Sequence, residues 1–196
     1  MISFKEATEK TVRLFLRNQQ GCIPSYPEVG ASRSSLSPPG YSILSDRIKL
    51  GTGVLTFEKA KSAIQKWKMF DFSWIKLFWP NTPIEEGRDV AILVRVCGLY
   101  FLNACRIVYV IDTDGPTKRF GFAYGTLPGH VESGEERFLV EWNKDDDSVW
   151  YEVYSFSRPS RFCYQIATPY LRKLQKHFIL HSLRAIQKEI SEGSCE

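Results

Sequence analysis

The spacing of apolar positions changes several times along this chain, and each change marks a different element. Phe4, Thr8, Thr11, Val12 and Phe15 trace one helical face. Ser3-Phe4-Lys5-Glu6 has the form of a capping box, Ile2 and Ala7 are placed as its hydrophobic staple, and Gly21 is a natural stop. These signals predict an N-terminal helix within residues 1–21. Residues 22–45 lose all period and are rich in Pro, Gly and Ser, the composition of a loop. Tyr26, Val29, Leu36 and Tyr41 inside that loop predict a strap tied to the body, not a free linker.

Beyond the strap, Arg47–Leu50 alternates weakly as a strand and stops at Gly51-Thr52-Gly53. Thr56 is placed to cap a helix in which Phe57, Ala60, Ile64 and Trp67 recur at helical spacing. An irregular aromatic stretch follows, with Phe70, Phe72, Trp74, Phe78 and Trp79 running into Pro80 and Pro83. A run of strands is then predicted over 89–97, 100–112, 120–127, 136–143 and 149–156. Asp145-Asp146-Asp147 falls where a solvated hairpin turn is expected, a plainer account than a cation site. Thr168 as N-cap and Pro169 at the first helical position open the last element. Its stripe of Leu171, Leu174, Phe178 and Ala185 is widened by Ile179, Leu183, Ile186 and Ile190. A face that broad exceeds what a surface helix needs and calls for a concave partner. A curved antiparallel sheet supplies one, because it can bury one face on a helix. The expected fold is therefore α+β, a curved antiparallel β-sheet gripping a long C-terminal helix, with an N-terminal helix and a strapped loop. Residues 1–196 form one domain in this reading, and residues 46–196 are its helix-grip body.

Composition narrows the picture without redirecting it. A chain of 196 residues can bury roughly 70% of its extended surface, enough for one full core. Aromatics at 14% are high and sit in strand-like segments, which favours a thick core or an aromatic-lined cavity. The net charge of +4 is too mild to imply nucleic acid without a clustered patch. Residues 1–20 carry charges throughout, so no secretory signal is expected there. The longest charge-free apolar run, between Arg95 and Arg106, is about half of the ~20 residues a spanning helix needs. Cys22, Cys97, Cys105, Cys163 and Cys195 are odd in number and scattered, as for free thiols in a reducing compartment. A cytoplasmic protein is expected, and no cofactor is implied.

Longer motifs carry a resemblance. Tyr26-Pro27-Glu28-Val29-Gly30-Ala31, Pro39-Gly40-Tyr41 and Leu50-Gly51-x-Gly53 come first, followed by a central Phe122-Ala123-Tyr124-Gly125-Thr126-Leu127-Pro128-Gly129-His130-Val131-Glu132-Ser133-Gly134-Glu135-Glu136. Trp150-Tyr151 and Ser155-Phe156-Ser157-Arg158-Pro159 complete the set. Together they resemble, over nearly the whole chain, the bacterial and plant domain-of-unknown-function family numbered nineteen-ninety. The element order is also similar to the START and Bet v-type helix-grip superfamily of lipid-transfer, pollen-allergen and polyketide-cyclase folds. That likeness implies an apolar ligand held between sheet and terminal helix, by analogy of layout alone.

The residues themselves offer several candidate sites. In 120–127, alternation sets Phe120, Phe122, Tyr124 and Thr126 on one face and Gly121, Ala123, Gly125 and Leu127 on the other. The small-residue stripe implies close approach of another body, a packed helix being the plainer choice over a ligand. Trp150, Glu152, Tyr154 and Phe156 share a face. If that face is the concave one, they wall a ligand cavity with Tyr124, Phe138 and Trp142, and Glu152 and Arg158 become polar anchors. Glu152 then needs an arginine partner, Arg137, Arg95 or Arg158; otherwise it makes an ordinary cross-strand pair on a wet face. His130, with Glu132, Glu135 and Glu136 nearby, is the best acid–base cluster, the basis for a cyclase- or hydratase-like alternative using His130 and a glutamate. His177 and His181 have zinc-ligand spacing on a helix but lack a third donor, and two surface histidines is the simpler account. Arg158, Arg161, Arg172, Lys173, Lys176, Arg184 and Lys188 make the last third basic. With the aromatic run Phe70–Trp79, they support a third reading, attachment at a membrane surface.

Overall fold

Alternation along the strands sorts the side chains of a single antiparallel sheet onto two faces, each covered by different parts of the chain. The computed structural model describes residues 1–35, 38–160 and 168–192. In chain order the elements are β1 (Ile2–Ser3), α1 (Glu9–Arg17), β2 (Ser42–Thr52), α2 (Gly53–Gln65), β3 (Ile75–Phe78) and β4 (Asp89–Val96). There follow β5 (Leu99–Thr113), β6 (Thr117–Thr126), β7 (Glu132–Asn143), β8 (Ser148–Pro159) and α3 (Thr168–Glu192). The sheet runs β2-β8-β7-β6-β5-β4-β3, and β1 adds to the edge of β5. Its curved inner face carries Ile107, Phe122, Phe138 and Tyr151, which bury against Phe57 and Ile64 of α2 and Phe178 and Ile186 of α3. The Tyr151 and Ser182 hydroxyls hydrogen-bond at 2.9 Å, tying helix to sheet in the core. The helix-grip arrangement expected from the terminal stripe is the one the chain adopts.

The outer face is covered twice. Val12 of α1 buries with Phe78, Ala91, Leu93 and Leu102 over one end of the sheet. Over the other end lies the strap, whose Tyr26 packs with Tyr154 and Phe156 while Tyr41 and Ile43 flank them. A bulge between Ile107 and Tyr109 reverses the parity of β5. Ile107 therefore joins the inner core, whereas the Tyr109 hydroxyl meets Ser32 of the strap at 2.6 Å.

Several local expectations give way to tertiary pairing. Ser3 does not cap α1; it pairs with Tyr100, and its Oγ accepts the Lys5 N–H. The cap is Thr8, whose Oγ1 accepts the Thr11 N–H, because the ladder to β5 satisfies the backbone at Ser3 instead. Thr52, not Thr56, precedes α2, and the Thr56 hydroxyl donates to the Thr52 carbonyl at 2.7 Å. β2 begins at Ser42, inside the predicted loop, because β8 pairs with it as far as Ser157. The aromatic stretch after Trp67 contains a real strand, β3, paired to β4. The small-residue stripe of β6 faces the outer side, where Gly125 lies against Tyr26 of the strap. A Cβ on Gly121 would lie 2.2 Å from the Phe138 carbonyl oxygen, and one on Gly125 would lie 2.0 Å from the Tyr26 hydroxyl.

Candidate functional site

Near the β6–β7 turn the sheet and the first turns of α3 separate and leave a cavity of about 360 Å³, within the few hundred Å³ usual for small-molecule sites. Trp74, Ile75, Ile92, Val94 and Val96 line the side built from β3 and β4. Leu171, Leu174 and Phe178 of α3 form the roof. The β6–β8 side is polar, with Tyr124, Thr126, Glu132, Glu136, Ser155 and Ser157. Alternation explains this split. Glu132 and Glu136 share the parity of Phe138 and Val140, so the strand that fills the core further along turns acids inward here.

Those acids are held in an environment that resists their charge. Burial pushes the Glu136 carboxyl up to about 8, opposed by the Tyr124 hydroxyl, which donates to its Oε2 at 2.5 Å. Glu132 is raised to about 7 by burial, against the pull of Arg172 and of hydrogen bonds from Ser157 and Gln175. Gln175 Nε2 donates to Glu132 Oε2 at 2.7 Å and to Ser157 Oγ at 2.8 Å. Its Oε1 is buried without a partner among the described residues. The same holds for Asn103 Oδ1 on β5, a side chain only 4% exposed, whose Nδ2 donates to the Phe101 carbonyl at 3.2 Å. A carboxyl group poised near neutrality beside a phenol can give or take a proton. His130 resists taking one in this arrangement. Burial lowers it to about 4, and its Nδ1 lone pair accepts the Glu132 N–H at 3.0 Å.

His130 and Glu136 both line the cavity, but Glu135 does not join them as an acid–base group. Its side chain points to the outer face and anchors the strap. It accepts from the Tyr26 hydroxyl and the Gly30 N–H, each at 2.7 Å, from the Ser32 N–H at 3.1 Å, and from the Ser32 hydroxyl. Trp150, Glu152, Tyr154 and Arg158 are also on the outer face, because Val149, Tyr151 and Val153 take the inner one. Glu152 has the Arg137 partner that its neighbours suggested, but beneath the strap and not in a cavity. Arg158 lies over the Tyr41 ring at 4.5 Å and Arg47 over the Trp150 ring at 4.0 Å. Of the expected wall residues, Tyr124 lines the cavity with its side chain's partner Glu136, and Phe156 lines it while its ring packs with Tyr26 and Tyr41. Phe138 and Trp142 are core and core-edge residues.

His181 packs on the rings of Phe72 and Trp74, at 5.2 and 6.3 Å, while His177 is exposed. Among the described residues no three His, Cys, Asp or Glu side chains converge as a metal site. The aromatic run is not a surface feature, since Phe70 and Phe78 are buried and Trp74 lines the cavity. Asp145–Asp147 makes the expected turn, with Asp146 accepting from Ser148. No described helix is long and apolar enough to cross a membrane. Leu36, Arg161, Cys163 and Cys195 lie outside the described residues. Asn103, Thr126 and Gln175 are the site residues that sequence reasoning missed, whereas Glu132, named beside His130, does line the cavity.

A gripped terminal helix over a curved sheet, with an amphipathic cavity between them, defines a helix-grip protein of α+β class. Within that class the chain belongs to the family described as a domain of unknown function, DUF1990, matched over residues 25–185, as its motifs implied. It is 42% identical to a UPF0548 protein of Dictyostelium discoideum over 156 residues, covering 75% of this chain and 72% of that one. A UPF0548 protein of Deinococcus radiodurans is 32% identical over 202 residues, covering 94% of this chain and 98% of its own. Among solved structures, Ara h 8.0201 aligns with a TM-score of 0.48 at 10% identity, over 78% of this chain and 99% of that one. Human STARD10 aligns with a TM-score of 0.44 at 10% identity, over 94% and 81%.

Proposed function

We propose that this protein binds an apolar or amphipathic small molecule between its sheet and its C-terminal helix. The observation that carries the reading is the cavity itself: about 360 Å³, apolar on the β3–β4 side and under α3, and polar along β6–β8. Well-packed cores leave few voids larger than a water molecule, so a space of this size is not a packing accident. Two of the buried amide oxygens without partners among the described residues, those of Asn103 and Gln175, belong to residues that line the cavity and support the same reading. Buried acceptors are costly unless something donates to them.

Native mass spectrometry of gently purified protein, before and after incubation with medium-chain lipids, tests it. A bound or acquired adduct is the expected result. It is expected to be lost in Val94→Trp, whose ring fills the β4 side of the cavity. A protein that neither carries nor takes up any such molecule, while Val94→Trp behaves as the wild type, overturns the reading.

A further inference from the structure

The cavity's polar groups are unbalanced, and the imbalance points to one ligand chemistry. Glu132 and Glu136 bring carboxyl oxygens, and Asn103 Oδ1 and Gln175 Oε1 bring buried amide oxygens with no partner among the described residues. Both amides are oriented by their own bonds. Asn103 Nδ2 faces the Phe101 carbonyl, and Gln175 Nε2 faces Glu132 and Ser157, so in each case the oxygen is the atom left over. The Tyr124 hydroxyl already donates to Glu136, and Tyr170 shares its hydroxyl with Cys97 Sγ at 3.7 Å. No lysine or arginine is among the described residues that line the space. Among the described lining residues, unpartnered acceptors therefore stand out and no side chain carries a fixed positive charge, Arg172 acting on Glu132 from outside the lining.

We infer that the ligand's polar group is a hydrogen-bond donor that carries positive charge, an aliphatic amine on an apolar chain, and that a fatty-acid carboxylate is excluded. This rests on the ligand-binding reading above and narrows it to a chemical class. A carboxylate ligand would oppose ionisation of Glu132 and Glu136, and no lysine or arginine lines the space among the described residues to clamp it. An ammonium would instead find two carboxyls ready to ionise beside it and unpartnered oxygens to receive its N–H bonds. The remaining titratable groups around Glu136 are Tyr124, Tyr151 and Cys105, all held neutral by burial. Arg172 of α3 is the cation that acts on Glu132, and His130 is neutral. Binding of the amine is therefore expected to tighten as pH rises from neutrality toward about 8, where Glu136 ionises.

Titration calorimetry with decylamine, decanol and decanoate separates the possibilities, because the chains match and only the head group differs. Decylamine is expected to bind at least about tenfold tighter than decanoate, a difference of about 1.4 kcal/mol. In the double variant Glu132→Gln, Glu136→Gln, checked for folding by circular dichroism, decylamine and decanol are expected to bind alike. If all three bind equally, or decanoate binds best, the cavity still holds apolar chains and the amine inference is overturned. If none binds, the ligand-binding reading falls and takes this inference with it.

Discussion

Glu136 is an acid where acids are unfavourable, and its protonation couples folding to pH. Its carboxyl sits at about 8 in the folded protein and at 4.5 as a free side chain. The folded state therefore holds an extra proton between these values, and stability falls as pH rises through that window. Glu132 acts in the same direction up to about 7, whereas His130, lowered to about 4 from 6.5, takes stability away as pH falls through its own range. Thermal midpoints of Glu136→Gln and wild type are thus expected to converge near pH 5. They should separate toward pH 8, with the variant the more stable by on the order of a few kcal/mol. Equal pH dependence of the two proteins would remove Glu136 from this role. The position of this acid was partly legible, because it alternates with Phe138 and Val140, which must face the core. Asn103 and Gln175 were not legible. A lone amide on a strand or helix has no pattern, and only the neighbours that leave its oxygen bare give it meaning.

At the scale of elements, the strap behaves as a part of the sheet's outer face. Glu135 accepts the amides of Gly30 and Ser32, and the Arg137 guanidinium donates to the Ser32 carbonyl at 2.5 Å. Removing the carboxylate leaves those buried donors unsatisfied, at a cost of about 1–3 kcal/mol for each. Glu135→Ala is expected to speed hydrogen exchange at Gly30 and Ser32 while the β6–β7 ladder stays protected. Unchanged exchange in the strap would show that its apolar contacts hold it alone. The sequence announced a strap through its tyrosines and announced close approach through Gly121 and Gly125. It did not announce that these belonged together, since the 2.0 Å approach of Tyr26 to a Gly125 Cβ joins segments a hundred residues apart. The same separation hid the faces of β8. Its alternation was plain, but which side was inner depended on partners elsewhere, so Trp150, Glu152, Tyr154 and Arg158, cavity candidates if their face were the concave one, lie on the outer face, with Tyr154 packed against Tyr26 of the strap.

For the whole molecule, one inner core joins β4–β8 to both α2 and α3, beside two smaller outer clusters. Calorimetry is expected to give a single transition, with a heat-capacity change of about 2.4–2.9 kcal/mol/K for a chain of this length. Two resolved transitions would mean that the strap and α1 form a unit of their own. The helix grip was legible because the stripe of α3 is wider than water tolerates. The place of β2 was not, since nothing local says that a strand beginning at Ser42 pairs with one ending near Ser157. That pairing has a consequence for birth on the ribosome. The second strand emerges early, but its neighbour in the sheet, among the described residues, is the last strand made. At about 5–20 residues per second, its open edge waits roughly 5–25 s for company. Throughout that delay the edge shows a row of unpaired N–H and C=O groups, the kind of template on which a second copy could pair instead.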